Sequence, residues 1–239
     1  MLLDAFVSRQ GEAFSFSRQH SCTFAKQVAG DFNPIHDVDA KRFCVPGDLL
    51  FSYLLSRYGV SQQLNCQFSG MVSADVLLHC KITAGQIQVC DDQDRVYLTI
   101  QFSGEHRHDL SVIEPLFQDY VRFSGKNFPD ILQPLMAEQG VMINPQRPLV
   151  IYESMSLSFQ QLPTSPVKLA LSGSKLEVEG KRGNVTLSFT LSEQGVVIGQ
   201  GAKKMILSNL QPYDESLMQQ MVTDYNNRRS AAGCYDLAV

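Results

Sequence analysis

Alternating apolar and polar residues indicate strands in both halves of the chain. Every second position is apolar in residues 72–82, with mostly polar neighbours, and residues 96–103 repeat this pattern. A period of two is typical of half-buried strands. Residues 12–17 form a further short candidate. Strand-like runs in the second half lie at residues 149–160, 167–178, 184–191 and 196–207.

Two helices are predicted in the first half. Ser21 is a good cap for a short helix over residues 22–29, and a polar loop then occupies residues 37–45. A second helix opens at Gly47-Asp48 and ends at Gly59. Because it is apolar on nearly every side, we expect it to be buried, with an antiparallel sheet curved around it.

The stretch Gly30-Asp31-Phe32-Asn33-Pro34-Ile35-His36 lies between these helices. Proline pushes Asn33 out of helical geometry, so the chain must turn, and the turn can bring Asp31 and His36 to one side. A carboxylate and an imidazole are suited to general acid/base chemistry. The alternative interpretation is a helix stop followed by a turn, for which Gly, Asp, Asn and Pro are the expected residues.

The second half repeats the same order of elements in diverged form. Aligning Gly125 with Gly30 places Lys126 and Ile131 at the positions of Asp31 and His36, and a helix is predicted over residues 131–139. Since neither substitute can replace the acid/base pair, we expect one competent site at most. The predicted units are residues 1–110, residues 111–208, and residues 209–239, which contain a peripheral helix (214–226) and a loose tail.

The predicted linker near residues 104–112 contains His106-x-His108-Asp109. This string could suggest a metal site, but further ligands are lacking nearby, and a solvated connector is the favoured interpretation. We therefore predict no metal.

Composition narrows the function classes. The 239 residues include 44% hydrophobic residues and carry a net charge of -4, which argues against nucleic acid as a main partner. No apolar run is long enough to span a bilayer, and no secretory signal is evident. The six cysteines form no Cys-x-x-Cys pair and are expected to be reduced, mostly buried thiols of a cytoplasmic protein. Cys44 is either a reactive thiol or, more simply, a small core residue.

The motif is similar to that of the MaoC-like hydratases, the (R)-specific enoyl-CoA hydratase and dehydratase group. The match runs over residues 21–58. The residues that carry it are Phe24, Gly30, Asp31, Asn33, Pro34, Ile35, His36, Phe43, Gly47, Leu49 and Leu50. The resemblance implies an α+β double hot-dog fold, in which each of two repeats curves an antiparallel sheet around a central helix. It is also compatible with an uncharacterised proteobacterial family related to these enzymes.

The resemblance further implies a hydratase or dehydratase of acyl thioesters, with Asp31 and His36 as the catalytic pair. Gly47, at the amino end of the buried helix, is the expected backbone donor to the thioester oxygen. Asn33 would brace the loop or the pair.

Three residues are candidates for substrate contacts, each with a plainer interpretation. Asp48 could instead point away from the site, Phe51 could be part of the core, and Arg42 could be a solvated surface charge.

The substrate would be a thioester of CoA or of an acyl carrier protein, with no further cofactor. The alternatives are a non-catalytic protein that binds acyl groups or a protein partner, and an acyl-CoA thioesterase. A fused pair of repeats could be a monomer or form a homodimer. Only ten residues separate His36 from Gly47, which is fewer than is usual in the family.

Overall fold

The computed structural model describes residues 2–232. Its strands are β1 (Ser8–Gln10), β2 (Ala13–Ser15), β3 (Val60–Phe68), β4 (Leu78–Thr83), β5 (Gln86–Asp91), β6 (Val96–Arg107), β7 (Val141–Met142), β8 (Val150–Phe159), β9 (Val167–Glu179), β10 (Arg182–Glu193), β11 (Val196–Ser208) and β12 (Gln211–Pro212). Its α-helices are α1 (Arg18–Thr23), α2 (Gly47–Tyr58), α3 (Leu110–Gly125), α4 (Asn127–Asp130), α5 (Leu132–Glu138) and α6 (Glu215–Ala231). The predicted peripheral helix (214–226) extends further than expected, to Ala231, whereas Cys234 and residues 233–239 of the predicted tail lie outside the described residues.

Ten of these strands form one antiparallel sheet in the order β1-β2-β4-β5-β6-β3-β8-β11-β10-β9. The two halves of the chain meet where β3 pairs with β8, from Gln63 opposite Ser158 to Gln67 opposite Ser154. Helices α2 and α3 pack against each other, and Phe51 contacts Tyr120 edge to face at 5.4 Å. The protein therefore has the α+β double hot-dog fold that the sequence predicted.

The predicted central helix is confirmed. Eight consecutive residues of α2 are buried, and Phe51 and Tyr53 are fully enclosed. Gly59 ends the helix with a φ of 78°, where its N–H bonds the Leu55 carbonyl. A helix that is apolar all round has no solvent face, so the sheet and α3 cover it.

The first predicted helix begins earlier than expected. Helix α1 starts at Arg18, and its cap is Ser17, whose hydroxyl accepts a hydrogen bond from the His20 N–H at 3.0 Å. Ser21 is fully buried instead. The chain continues as a π-helical segment, Phe24–Ala29, which ends at Gly30 in the left-handed conformation (φ 70°). Glycine meets no Cβ penalty there, so the chain can leave the helix sharply toward Asp31.

Two other expectations were wrong in their boundaries. The strand predicted over residues 72–82 begins only at Leu78, because the preceding residues form a loop whose Val72 carbonyl bonds the Val45 N–H. The linker predicted near residues 104–112 is mostly regular structure, since β6 extends to Arg107 and α3 begins at Leu110.

The two histidines of the predicted linker have structural contacts. His108 Nε2 lies 3.0 Å from the Ser56 carbonyl oxygen, and His106 Nδ1 lies 3.2 Å from the Ser61 hydroxyl. Within residues 2–232, no three His, Cys, Asp or Glu side chains come together in a way that could hold a metal ion.

The second half of the chain has its own hydrophobic core. Leu132 and Met136 of α5 pack with sheet residues such as Leu187, and Met218 of α6 joins them. The duplication and the predicted unit boundaries stay predictions. No helix among the described residues has the length and apolar character needed to cross a membrane.

Candidate active site

A cavity of about 460 Å³ opens beside the motif. Its walls come from the motif loop, the amino end of α2, the carboxyl end of α3, strands β8 and β11, and helix α6. This volume lies within the range of small-molecule sites. Both halves of the chain therefore contribute to one cavity, although the motif occurs only in the first half.

Asp31 and His36 converge in this cavity. The Asp31 Oδ2 atom lies 3.7 Å from His36 Nε2. His36 Nδ1 lies 2.7 Å from the Cys44 carbonyl oxygen, which can only accept, so Nδ1 carries a proton and donates it. In the neutral ring Nε2 is then an unprotonated acceptor that faces the Asp31 carboxyl.

The loop conformation follows from Asn33. Its backbone N–H donates to Asp31 Oδ1 at 2.8 Å and fixes the carboxyl group. Its side-chain oxygen accepts from the Ile35 N–H at 3.2 Å, which caps the single 3₁₀ turn Pro34–His36. The Asn-Pro pair thus turns the chain so that residues five apart face each other, as the sequence predicted. In this structure Asn33 braces both the loop and the carboxylate.

Burial raises the pKa of the Asp31 carboxyl above its usual range. Its side chain is 30% exposed, on the side that faces the cavity, and the protein atoms packed around the rest of the carboxyl group disfavour its charged form. The Asp48 charge acts in the same direction. The His36 ring, the Asn33 N–H and the Lys203 ammonium oppose this rise without cancelling it.

Helix α6 contacts the motif loop through hydrogen bonds and an ion pair. The Tyr225 hydroxyl accepts a hydrogen bond from the Phe32 N–H at 3.2 Å and donates to the Gly125 carbonyl at 3.1 Å. Arg228, one turn further along, forms an ion pair with Asp37 at 3.2 Å. The helix that the sequence analysis placed at the periphery therefore holds the residues on both sides of the Asp31–His36 pair.

A second polar cluster, Asp48, Ser124 and Lys203, forms the opposite wall. The Ser124 hydroxyl donates to Asp48 Oδ2 and accepts from the Lys203 ammonium. Lys203 Nζ lies 3.6 Å from Asp48 Oδ2 and 4.1 Å from the centre of the Tyr152 ring. Asp48 thus does not point away from the site. Nothing local in the sequence identifies Ser124 or Lys203, because only the folded sheet brings them to α2.

Gly47 lies at the cavity wall, and the neighbouring aromatic rings leave no room for a side chain there. An added Cβ would lie 2.9 Å from the Tyr152 ring and 3.1 Å from the Phe68 ring. Aromatic packing therefore requires glycine here. The helix has no side-chain cap at Pro46, and the Leu49 N–H bonds the Pro46 carbonyl, so the available donors among the described residues are the N–H groups of Gly47 and Asp48.

Two predicted substrate contacts are not brought to the cavity. Phe51 is fully buried against Tyr120 in the core, and Arg42 is exposed and does not line the cavity. Cys44 does line it, but burial raises the pKa of its thiol to about 11, so at neutral pH it is not a thiolate nucleophile.

Several solved structures resemble this one at low identity. An acyl-CoA thioesterase II from Mycobacterium marinum is 10% identical with a TM-score of 0.43, covering 90% of this chain and 100% of that chain. A conserved hot-dog protein of unknown function from Alicyclobacillus acidocaldarius is 9% identical with a TM-score of 0.44, covering 89% and 99%. A MaoC-like dehydratase is 10% identical with a TM-score of 0.42, covering 85% and 98%.

At these identities and TM-scores the likenesses carry no information on activity. No curated protein matches the chain. A family model described as a protein of unknown function (DUF3581) matches residues 1–216, from the start of the chain through β12 and into α6. The expectation of an uncharacterised family is confirmed to that extent, whereas the MaoC-like affiliation stays a hypothesis. The chain thus belongs to the DUF3581 family.

Proposed function

We propose that this protein is a hydratase or dehydratase of acyl thioesters, which interconverts trans-2-enoyl and (R)-3-hydroxyacyl thioesters. The observation that carries the proposal is the convergence of Asp31 and His36, 3.7 Å apart, on one cavity. A carboxyl group and an imidazole, held beside a space for a small molecule, are the acid/base groups that a reversible addition of water needs.

The proton inventory of the pair fits this reaction. Nε2 of neutral His36 accepts a proton from water as the water oxygen bonds to the β-carbon, and the electrons of the double bond move toward the thioester oxygen. The raised pKa of Asp31 favours its protonated form, which delivers a proton to the α-carbon. His36 then returns its proton to Asp31. The sum is one water added and no net change in the enzyme.

The amino end of α2 is the proposed position of the thioester carbonyl. The N–H groups of Gly47 and Asp48 and the positive end of the helix dipole favour negative charge there. The thioester would be carried by CoA or an acyl carrier protein, and no further cofactor is invoked. We propose a cytoplasmic protein that works as a monomer or a homodimer. Arg42 is exposed, so a role in phosphate binding rests on its charge alone.

Hydration of crotonyl-CoA by the purified protein, followed by the loss of enoyl-thioester absorbance, tests this function. The variants Asp31→Asn and His36→Ala should each lower kcat by about a hundred- to ten-thousandfold, since positioned proton transfer is lost. The chain offers a matched control in His79 and Asp94, a more exposed pair at 4.0 Å. His79→Ala and Asp94→Asn should leave turnover unchanged.

Each other outcome indicates a different function for this protein. Wild-type turnover in both dyad variants would refute the assignment of Asp31 and His36. Release of free CoA thiol without hydration would identify a thioesterase. Binding of acyl-CoA without either reaction, across a range of chain lengths, would identify a non-catalytic acyl-binding protein.

A further inference from the structure

The buried Lys203 ammonium has hydrogen-bonding capacity that the protein does not use. Its side chain is 5% exposed, and it lines the cavity. Of its three N–H donors, one meets the Ser124 hydroxyl. The Asp48 carboxylate, at 3.6 Å, is beyond normal hydrogen-bond length, and Tyr152 offers only its ring face. Among residues 2–232, the other two donors have no acceptor.

An enclosed ammonium with spare donors is costly unless a ligand uses them. The Asp48 carboxylate beside it also has one oxygen, Oδ1, that is buried and makes no hydrogen bond within the described residues. Both side chains line the same cavity as Asp31 and His36. The cluster is therefore not a fully satisfied ion pair, because each member has unused hydrogen-bonding capacity and both side chains line the cavity.

The position of Lys203 indicates which ligand atom its ammonium would contact. Its partner Asp48 is the second residue of α2, next to the free N–H groups at the amino end of that helix. In the proposed reaction, that end faces the thioester oxygen, on which negative charge grows. The Asp48 charge alone would oppose that growth, and a cation within 4 Å of it removes the opposition.

We propose that Lys203 is a catalytic residue whose ammonium contacts the thioester oxygen and stabilises the enolate formed there. This inference rests on the proposed function and extends it to the second half of the chain. Lys203 gives up no proton in the step. The oxygen gains charge as the double-bond electrons move to it and loses that charge when Asp31 protonates the α-carbon. The spare N–H donors hold the oxygen throughout.

Acetoacetyl-CoA is a probe that separates this role from turnover. It forms an enolate across the same carbons without needing water to add, and its enolate is followed by absorbance during a pH titration of the bound ligand. Wild-type protein should lower the pKa of bound acetoacetyl-CoA relative to the free compound. Lys203→Met should reverse this change by about two units, which is the hundredfold expected for one lost oxyanion contact.

The variant Asp48→Asn gives the opposite sign and excludes a merely structural effect. It removes the negative charge but leaves Lys203, so the pKa of the bound ligand should fall below the wild-type value. Both single variants disrupt the same ion pair, so a structural role would move both in one direction. The double variant Lys203→Met, Asp48→Asn leaves no unpaired buried charge and keeps the comparison interpretable if Lys203→Met alone unfolds.

Lys204→Met is the matched control, because Lys204 is adjacent on β11 and exposed on the other face of the strand. It should behave as wild type. In the crotonyl-CoA assay, Lys203→Met should lower kcat by about a hundredfold.

The results separate the two proposals. Hydration that survives in Lys203→Met refutes the role of Lys203 and leaves the function standing. A Lys203-dependent enolate without any hydration refutes the function and leaves enolate stabilisation standing. The inference is also overturned if wild-type protein does not bind acetoacetyl-CoA, or if the two single variants shift its pKa in the same direction.

Discussion

The segments that follow Gly30 and Gly125 align in sequence but have different structures and different surroundings. After Gly30 the chain forms a capped turn, and Asp31 and His36 face the cavity. After Gly125 the chain passes Lys126, which is exposed to solvent, and then enters α4. Asn127 and Phe128 of this segment still line the cavity, and the second half adds Ser124 and Lys203 to its wall. One half thus holds the Asp31–His36 pair, while the other half encloses this pair and contributes the Lys203 ammonium to the cavity wall.

The two glycines themselves also differ in conformation and in surroundings. Gly30 adopts a left-handed conformation and has open space where a Cβ would lie. Gly125 ends helix α3, and a Cβ there would lie 1.9 Å from the Ala29 carbonyl oxygen and 3.1 Å from the Asp31 nitrogen. Gly30 is therefore explained by the turn, whereas Gly125 is explained by the close contact of α3 with the motif.

The variant Gly125→Ala should have the largest effect on this contact. The added methyl group overlaps backbone atoms that cannot rotate away, so α3 or the motif must shift. We expect a loss of about 3 kcal/mol in the free energy of unfolding, the upper end for overpacking, together with loss of hydration. Urea unfolding and the crotonyl-CoA assay measure both.

Two further glycine variants calibrate that result. Gly30→Ala incurs only backbone strain and should cost about 1 kcal/mol. Gly173→Ala, whose Cβ would find Ser188 at 3.9 Å, should be close to neutral. If Gly125→Ala is no worse than Gly30→Ala, the close contact between α3 and the motif is not what holds the site.

The variant Tyr225→Phe should have an intermediate effect. It keeps the aromatic packing on Phe32 but removes the hydroxyl, so the buried Phe32 N–H loses its acceptor. We expect the free energy of unfolding to fall by about 2 kcal/mol and kcat to fall about tenfold, because the residue next to Asp31 is loosened.

Tyr213→Phe is the control for this experiment. Its hydroxyl accepts a hydrogen bond from the Gln133 side chain at 3.0 Å, away from the motif. Turnover should be unchanged in Tyr213→Phe, and equal turnover in both variants would contradict the role of α6 as a brace of the motif.

The smallest expected effect is on the pH dependence of stability. Because burial raises the pKa of Asp31 in the folded protein, the folded state binds more protons than the unfolded chain above the ordinary pKa of 3.8. The contribution of Asp31 to stability therefore falls as the pH rises through the folded-state pKa. Asp31→Asn removes this loss, so urea unfolding at increasing pH should favour the variant progressively over wild type.

Asp214 provides a control of opposite sign. Hydrogen bonds from Ser216 and from the Leu217 N–H lower the pKa of this carboxyl at the start of α6. The contribution of Asp214 to stability is present above the ordinary pKa and is lost as the pH falls through the lowered value.

For Asp31, an advantage in stability of the wild type over Asp31→Asn that grows with pH would show that Asp31 is not desolvated.

The parts of this structure that sequence could predict are those that local pattern determines. The burial of α2 follows from its all-apolar composition, and the facing of Asp31 and His36 follows from the Asn33-Pro34 turn. Two further elements, β3 and α3, also have a local sequence pattern. Residues 64–68 of β3 alternate between apolar and polar, and apolar residues recur at three- and four-residue spacing from Val112 to Val121 in α3.

The remainder depends on long-range pairing and has no local signal. Lys203 lies in a strand with Lys204, and nothing in the sequence says which of the two is buried until β11 pairs with β8. Tyr225 follows polar residues of a helix that shows little amphipathic pattern, and its role depends on a partner 193 residues away. Contacts of that separation are set by the fold as a whole.

The ladder between β3 and β8 has a consequence for biosynthesis. While the ribosome is still adding α3 to α5, helix α2 is already complete. Strand β3, however, still lacks its partner β8 along the edge from Gln63 to Gln67. An unpaired edge of this kind is prone to aggregation. Production of this protein therefore depends on how quickly residues 154–158 emerge and close that edge, which makes slow translation or a stop before β8 more harmful than a truncation within α6.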